Sequence, residues 1–187
     1  KQMLNYNLNK SVVIIDEAYI DFGGESAMGL VDEYPNLLVI QTLSKSRSLA
    51  GLRIGFALGN KELIEALDRI KNSFNSYTLD RLALIAATEA YRDEAYFKET
   101  TAKVISTRDG VAEELRKMGF YMTDSKANFV FVSHPKVHAS TIFKELRDRG
   151  ILVRYFKKPR IDNFLRISMG TDEEMNALTK ALKEIVE

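Results

Sequence analysis

The order and spacing of apolar residues predict an α/β protein built from two units. Short β-branched runs, typical of buried strands, occur near the start of the chain and again in its last third. Between and after these runs the apolar spacing changes from two residues to about 3.6, which is typical of amphipathic helices. The 187-residue chain is 45% hydrophobic and 28% charged, so it can bury a sizeable core.

Three strands are predicted near the beginning of the chain. The run at 12–15 is apolar on both faces, which suits a buried strand of a parallel sheet. The run at 37–40 follows after about 20 residues, enough chain for a parallel crossover. The run at 54–58 comes too soon for a crossover helix and is predicted to lie antiparallel to the second strand. Residues 44–53 then form a compact turn at the carboxyl end of a strand, where open α/β sheets bind ligands.

Three helices are predicted next. Asn60 is a suitable N-cap for the first helix, and Thr78 is the expected cap of the second. Asp93 opens a third and longer helix, which Gly119 is expected to end. The apolar stripes of these helices contain Leu63, Ile64, Leu67 and Ile70, then Leu82, Ile85 and Ala86, then Phe97, Val104, Val111 and Leu115.

A second and smaller α/β unit is predicted after Gly119. The expected order is a strand at 129–132, a helix at about 139–149, strands at 151–155 and 164–169, and a final helix. The final helix begins with a capping box, because Thr171 is followed by a glutamate three residues later.

Composition excludes several classes of function. The chain has 27 Lys and Arg against 26 Asp and Glu, so no bulk charge predicts a nucleic acid or a membrane as partner. The absence of cysteine excludes disulfide scaffolds, thiolate metal sites and cysteine nucleophiles. No metal is expected, since only His134 and His138 could bind zinc, and both are expected at the surface. With no long apolar run and no signal peptide, the chain is expected to be cytoplasmic.

The first strand ends in a carboxylate that requires a partner. In the run from Val12 to Tyr19, Asp16 emerges at the end of a buried strand, where it stays ionised only if a cationic group meets it. One alternative is an aspartate that caps the following turn. Another is the Walker B pattern of ATPases, but that interpretation requires a glycine-rich phosphate loop that this sequence lacks.

The second strand leads to a lysine and two anion-binding side chains. Lys45 can form a Schiff base if its amine loses its proton in a pocket. Ser44 supplies a hydroxyl and Arg53 a forked cation, a pair that suits a phosphate. Together with Asp16 and Tyr19, these groups match pyridoxal phosphate, which requires a lysine for its carbonyl, a carboxylate for its ring nitrogen and a donor for its ring oxygen.

Several segments of the sequence resemble the class II, fold-type I pyridoxal-phosphate-dependent aminotransferases, and among them the histidinol-phosphate branch. These segments are Asp-Glu-Ala-Tyr at 16–19, Thr-Leu-Ser-Lys-Ser-Arg-Ser-Leu-Ala-Gly-Leu-Arg-Ile-Gly-Phe at 42–56, Ala-Asn-Phe-Val-Phe-Val at 127–132, Gly-Ile-Leu-Val-Arg at 150–154 and Phe-Leu-Arg-Ile-Ser-Met-Gly at 164–170. The resemblance implies an α/β fold made of the C-terminal part of the large cofactor-binding domain, at 1–91, and a small domain with the connecting helix, at 92–187. The preceding half of the family's fold is expected to be missing.

The resemblance also implies a role for each cofactor-binding residue. Lys45 would form the Schiff base and then move a proton between the substrate carbon and the cofactor. Asp16 would pair with the pyridinium nitrogen, and Tyr19 would donate to the ring oxygen. Ser44 and Arg53 would bind the phosphate.

Three residues of the second unit match substrate-binding positions of the family. Arg166 would hold the substrate α-carboxylate, and Arg154 would help to bind the substrate phosphate, although a surface arginine at a strand end is equally consistent with the sequence. Asn128 would lie near the substrate pocket, or else be a turn residue.

The implied reaction is amino transfer between histidinol phosphate and 2-oxoglutarate, with small phosphorylated amines and amino acids as substrates and a homodimer as the assembly. The alternatives are another fold-type I enzyme, such as a threonine-phosphate decarboxylase or an aromatic or aspartate-type aminotransferase, and a truncated remnant without catalysis.

Overall fold

The computed structural model describes residues 1–8 and 10–187. The chain divides into two compact units, unit 1 at Lys1–Glu99 and unit 2 at Thr100–Glu187. Within the described residues, none of the helices combines the length and the apolar character needed to cross a membrane.

Unit 1 begins with a short helix and contains a three-stranded sheet. Its first elements are α1 (Gln2–Asn7), β1 (Val13–Asp16), β2 (Leu37–Thr42) and β3 (Gly55–Gly59). The strands lie in the order β1-β2-β3, with β1 parallel and β3 antiparallel to β2, which confirms both predicted directions. The carboxyl ends of β1 and β2 therefore meet at one edge of the sheet.

Only one face of this sheet is buried throughout. Val13, Leu37 and Val39 pack against Leu4 and Tyr34, and Leu37 and Val39 are 0% exposed. On the opposite face Ile14 remains 56% exposed. The prediction that β1 is buried on both faces is therefore wrong within the described residues, because nothing among them covers Ile14.

Two helices follow the sheet, α2 (Lys61–Phe74) and α3 (Arg81–Arg92). Asn60 caps α2 as predicted, since its side chain accepts a hydrogen bond from the Glu62 amide at 2.9 Å. The predicted cap of α3 is wrong: Asp80, not Thr78, accepts from the Ala83 amide at 2.8 Å. An N-cap oxygen must reach an amide two or three residues ahead, and Thr78 lies too early for that.

The long helix α4 (Glu94–Lys117) begins and ends as predicted. The Asp93 carboxylate accepts from the Tyr96 amide at 3.1 Å, which satisfies an amide of the first turn. Beyond the last turn Gly119 has a φ of +84°, the left-handed conformation that favours glycine after a helix.

Unit 2 contains an antiparallel sheet covered by helices. After α4 come β4 (Tyr121–Met122), β5 (Phe129–Ser133), α5 (Ala139–Asp148), β6 (Arg154–Tyr155), β7 (Leu165–Ser168) and α6 (Asp172–Val186). The strand order is β4-β5-β7-β6. The two-residue β4 was not predicted, and β6 is shorter than the predicted strand at 151–155. The capping box of α6 is present as predicted, with the Thr171 amide donating to Glu174 at 2.8 Å.

One face of this second sheet forms the core of unit 2. Val130, Val132, Leu165 and Ile167 are at most 1% exposed and pack against α4, α5 and α6. His134 also lies inside, at 5% exposure, so its predicted surface position is wrong. The centre of its ring lies 4.9 Å from that of the Phe120 ring. Its Nε2 is within hydrogen-bond distance of the Met118 carbonyl, and its Nδ1 accepts from the Val137 amide. His138 is exposed and caps α5.

Candidate active site

The loop between β2 and β3, residues 43–54, carries Lys45 and is called the lysine loop below. It is closed by backbone hydrogen bonds. At the two ends of the loop the Leu43 amide donates to the Ile54 carbonyl at 3.1 Å. Within the loop the Leu49 amide donates to the Leu43 carbonyl at 3.0 Å. Ser48 and Arg53 have φ values of 57° and 56°, left-handed conformations that are unfavourable for residues other than glycine. Such conformations cluster at functional sites, where surrounding contacts impose them.

Lys45 and Tyr19 are brought together at the sheet edge. The Lys45 side chain is exposed, and its Nζ lies 5.4 Å from the centre of the Tyr19 ring. Tyr19 follows β1 and Lys45 follows β2, so the contact arises because the carboxyl ends of the two parallel strands are adjacent. The sequence prediction that these side chains share one site is consistent with this distance.

Asp16 occupies the exposed end of β1. Its Oδ1 accepts a hydrogen bond from the Ala18 amide at 3.0 Å, so the residue caps the turn, as one of the two sequence alternatives expected. Its Oδ2 has no hydrogen-bond partner among the residues that the structure describes. One oxygen is thus used by the turn, and the other can accept a further donor.

Glu17, next to Asp16, is a residue whose role the sequence did not indicate. It is only 5% exposed, and its carboxylate accepts hydrogen bonds from the Ser26 hydroxyl at 2.7 Å, the Ala27 amide at 2.6 Å and the Gln41 amide group at 2.8 Å. These bonds tie the end of β1 to the crossover and to β2. Glu17 therefore holds the end of β1, where Asp16 is the last residue, in place. The only sequence signal for Glu17 was its position after an apolar run and beside Asp16, the carboxylate predicted to bind the cofactor.

Ser44 and Arg53 lie at opposite ends of the lysine loop. The Ser44 and Thr42 hydroxyls are 3.0 Å apart, within hydrogen-bond distance. The exposed Arg53 side chain donates from Nη1 to the Ala50 carbonyl at 2.8 Å, which uses one of its five N–H groups. Both side chains can still donate to an anion.

Arg154 and Arg166 are cross-strand neighbours on the solvent-facing side of the unit 2 sheet. Arg166 on β7 lies directly opposite Arg154 on β6 and Phe131 on β5. Neither arginine takes part in an ion pair with any of the described residues, and Nε of Arg166 is buried without a hydrogen-bond partner. Like charges directly opposite each other destabilise a sheet, so a bound anion would make this pair more favourable.

Asn128 is half-buried and immediately precedes β5. Its carbonyl accepts from the Met169 amide at 2.9 Å, so the residue is part of the backbone ladder between β5 and β7. No hydrogen bond of its side-chain amide is found among the described residues. The predicted site residues thus form two groups, one at the sheet edge of unit 1 and one on the sheet of unit 2.

Known proteins with similar sequences span more than this chain. It is 60% identical over its whole length to histidinol-phosphate aminotransferase of Clostridium acetobutylicum, covering 53% of that protein. It is 58% identical over 99% of its length to histidinol-phosphate aminotransferase 2 of Dechloromonas aromatica, covering 52% of that protein. The chain therefore spans about half the length of the curated relatives it matches.

Solved structures share the fold. The histidinol-phosphate aminotransferase of Sinorhizobium meliloti in complex with pyridoxal-5'-phosphate superposes with a TM-score of 0.85 at 28% identity, over 99% of this chain and 52% of that one. L-threonine-O-3-phosphate decarboxylase of Porphyromonas gingivalis superposes with a TM-score of 0.82 at 21% identity, over 99% of this chain and 57% of that one, a likeness of fold alone. These likenesses confirm the predicted fold class, the α/β fold of the fold-type I transferases.

The family follows from a match that extends through both units. Residues 2–182 match the model of the class I and II aminotransferases. The resemblance predicted from the motifs at 16–19 and 42–56 is thereby confirmed, and the chain belongs to the class I and II aminotransferase family.

Proposed function

We propose that this chain is part of a pyridoxal-phosphate-dependent aminotransferase that transfers an amino group between histidinol phosphate and 2-oxoglutarate. The observation that carries the proposal is the approach of the exposed Lys45 amine to the Tyr19 ring, at 5.4 Å, at the edge where two parallel strands end. The names of the relatives that are about 60% identical support the choice of substrates.

The side chains at this edge fit pyridoxal phosphate. Asp16 retains an oxygen, Oδ2, that can accept from a protonated ring nitrogen. Tyr19 can donate to the ring oxygen, while Ser44 and Arg53 can donate to the phosphate. When bound, the cofactor supplies an electron sink that stabilises negative charge on the substrate carbon.

Lys45 has two roles in this proposal. Its amine would hold the cofactor covalently, and once released by the substrate amine, Nζ would accept and return the proton of the substrate carbon. The exposed position of Lys45 at the end of a strand suits both roles, because the amine can reach a ligand bound outside the sheet edge.

Arg166 and Arg154 are proposed to bind the anionic groups of the substrates. Arg166 would hold a carboxylate through its fork of donors, and Arg154 would add charge for a phosphate. The buried Nε of Arg166 supports this role, since it has no hydrogen-bond partner among the described residues and such buried donors usually require one. Asn128 would contribute a side-chain amide near the same substrate.

The assembly and location are also proposals. Residues 1–91 would complete a large cofactor domain with a further part of the protein, and residues 92–187 would form the small domain of a cytoplasmic homodimer. The apolar side chains left exposed on α2 and α3 support an additional partner for unit 1, since Phe74 is 80% and Leu82 76% exposed. A remnant that lacks catalysis would keep the same fold without binding the cofactor.

Trapping of the cofactor on Lys45 tests the proposal. The chain is mixed with pyridoxal phosphate, followed by visible absorbance, reduced with borohydride and digested for mass spectrometry. We expect weak binding that adds the cofactor mass to the peptide containing Lys45. Lys45→Ala should lose the visible band, whereas Lys61→Ala, which changes a lysine with an 87% exposed side chain, should keep it. An equally strong band from Lys45→Ala would overturn the role of that lysine.

The substrate assignment needs a complete enzyme. A hybrid is made in which this chain replaces the matched half of the Clostridium acetobutylicum relative. We expect it to transfer the amino group of histidinol phosphate to 2-oxoglutarate. If the hybrid binds pyridoxal phosphate but acts only on aspartate or aromatic amino acids, or only decarboxylates threonine phosphate, the proposed substrates are wrong.

A further inference from the structure

Arg47, two residues after Lys45, makes contacts that the proposed chemistry does not use. Its Nη1 donates to the Ala90 carbonyl at 2.5 Å, near the end of α3. The guanidinium carbon lies 3.7 Å from the centre of the Phe97 ring and 4.6 Å from that of Tyr91. The group is half-buried and interacts with both rings, a favourable arrangement for a planar cation.

A second attachment lies between Lys45 and Arg47. The Ser46 hydroxyl donates to the Asp21 carboxylate, on the short 3₁₀ turn that follows Tyr19. The Lys45 carbonyl itself accepts from the Ser48 amide at 3.2 Å. The chain after Lys45 is therefore held on one side by the turn next to Tyr19 and on the other by α3 and Phe97.

The loop conformation requires such attachments. Ser48 and Arg53 both adopt left-handed backbone angles, which persist only where surrounding contacts impose them. Arg47 immediately precedes Ser48. Its removal would leave this unfavourable conformation with fewer contacts to maintain it, and the backbone of Lys45 would move with its neighbours.

We infer that Arg47 is a positioning residue that fixes the direction of Lys45 through its contacts with Ala90, Tyr91 and Phe97. This inference rests on the proposed function, because it treats Lys45 as the reacting group. Arg47 touches neither cofactor nor substrate in this account. Its effect is on how often the amine points at the reacting atoms, and misplacement of about 1 Å can slow catalysis by about 100-fold.

Hydrogen exchange in the 187-residue chain tests the anchoring. We expect Arg47→Ala to raise the exchange rates of the Ser48 and Leu49 amides, which close the lysine loop, without changing those of α2. The matched control is Arg92→Ala, since Arg92 is the last residue of α3, the helix that Arg47 contacts, and pairs with exposed Glu89 at 2.6 Å. Unchanged exchange of the loop amides in Arg47→Ala would overturn the inference. If that variant does not fold, Phe97→Leu removes one ring and decides the question by the same measurement.

Kinetics of the hybrid enzyme distinguish positioning from general stability. We expect Arg47→Ala to lower kcat by about 10-fold to 100-fold with little change in the KM for histidinol phosphate, because binding groups stay in place. Arg47→Lys should recover part of kcat, since it keeps the cation and loses the fork. Equal kcat values for Arg47→Ala and Arg92→Ala would overturn the inference while leaving the proposed function intact. Activity in Lys45→Ala would overturn the proposed function itself.

Discussion

Replacing Arg166 by methionine should stabilise unit 2. The unpartnered Nε costs about 1–3 kcal/mol as a buried donor without an acceptor. Repulsion from Arg154, directly across the strands, adds a cost of about 0.2–1 kcal/mol, the size of other cross-strand pair energies. The contact of the Arg166 guanidinium with the Phe129 ring, at 5.3 Å, offsets about 0.5–1 kcal/mol of this. Methionine keeps the apolar stem, so Arg166→Met should gain about 2 kcal/mol, the balance of the middle values of these ranges.

Hydrogen exchange measures this gain in unit 2 alone. Amides of β5 and β7 that exchange through unfolding should exchange about 30-fold more slowly in Arg166→Met, since each 1.4 kcal/mol is about tenfold. Arg154→Met is the matched control: it relieves the repulsion but leaves the buried nitrogen, so its gain should stay below about 1 kcal/mol. Faster exchange in Arg166→Met, or equal gains in the two variants, would show that the buried Nε does not destabilise unit 2. Activity of the hybrid should be lost in Arg166→Met despite the gain.

Three further predictions concern packing, capping and pH. Leu146→Ala should lower the free energy of unfolding of unit 2 by about 2–5 kcal/mol, since Leu146 is 0% exposed; a loss below about 1 kcal/mol in urea unfolding would contradict this. Thr171→Ala should cost about 1 kcal/mol through loss of the α6 cap, with Thr171→Ser as the variant that keeps it. Burial raises the pKa of Tyr91 above its ordinary value of 10.0. The unfolded phenol therefore ionises first, and the free energy of unfolding of unit 1 should fall as pH rises above about 10. Tyr91→Phe should reduce that alkaline loss, and an unchanged pH profile would argue against it.

Local patterns predicted most of the secondary structure, because the signals lie within a few residues. Asn60 and Thr171 cap their helices as the sequence indicated, and Gly119 ends α4. The error at Thr78 shows the limit of this information. Two polar residues, Thr78 and Asp80, precede the same apolar stripe, and only the position of the first helical turn decides which one caps it.

Contacts between residues far apart in the sequence could be predicted only in part. Nothing in the spacing of Arg154 and Arg166 shows that they lie opposite each other, because that depends on the register of two strands joined by a loop. The burial of His134 depends likewise on Phe120 packing against its ring. The Schiff-base role of Lys45 was suggested by residue types and by the family resemblance. Its place near Tyr19 was predicted together with the parallel pairing of β1 with β2, and the structure adds the distance of 5.4 Å.

The two adjacent carboxylates at the end of β1, Asp16 and Glu17, affect how mutational data on this protein are interpreted. Asp16 faces outward with an oxygen available to a ligand, whereas Glu17 is enclosed by three donors from the crossover and β2. If the proposed function is right, a selection for growth would find both positions intolerant of substitution. The reasons would differ, since loss of Glu17 leaves buried donors unsatisfied and lowers the amount of folded protein, whereas loss of Asp16 removes one exposed hydrogen bond of the turn and lowers it less. Protein abundance, measured beside growth, would distinguish the structural role of Glu17 from the proposed cofactor contact of Asp16.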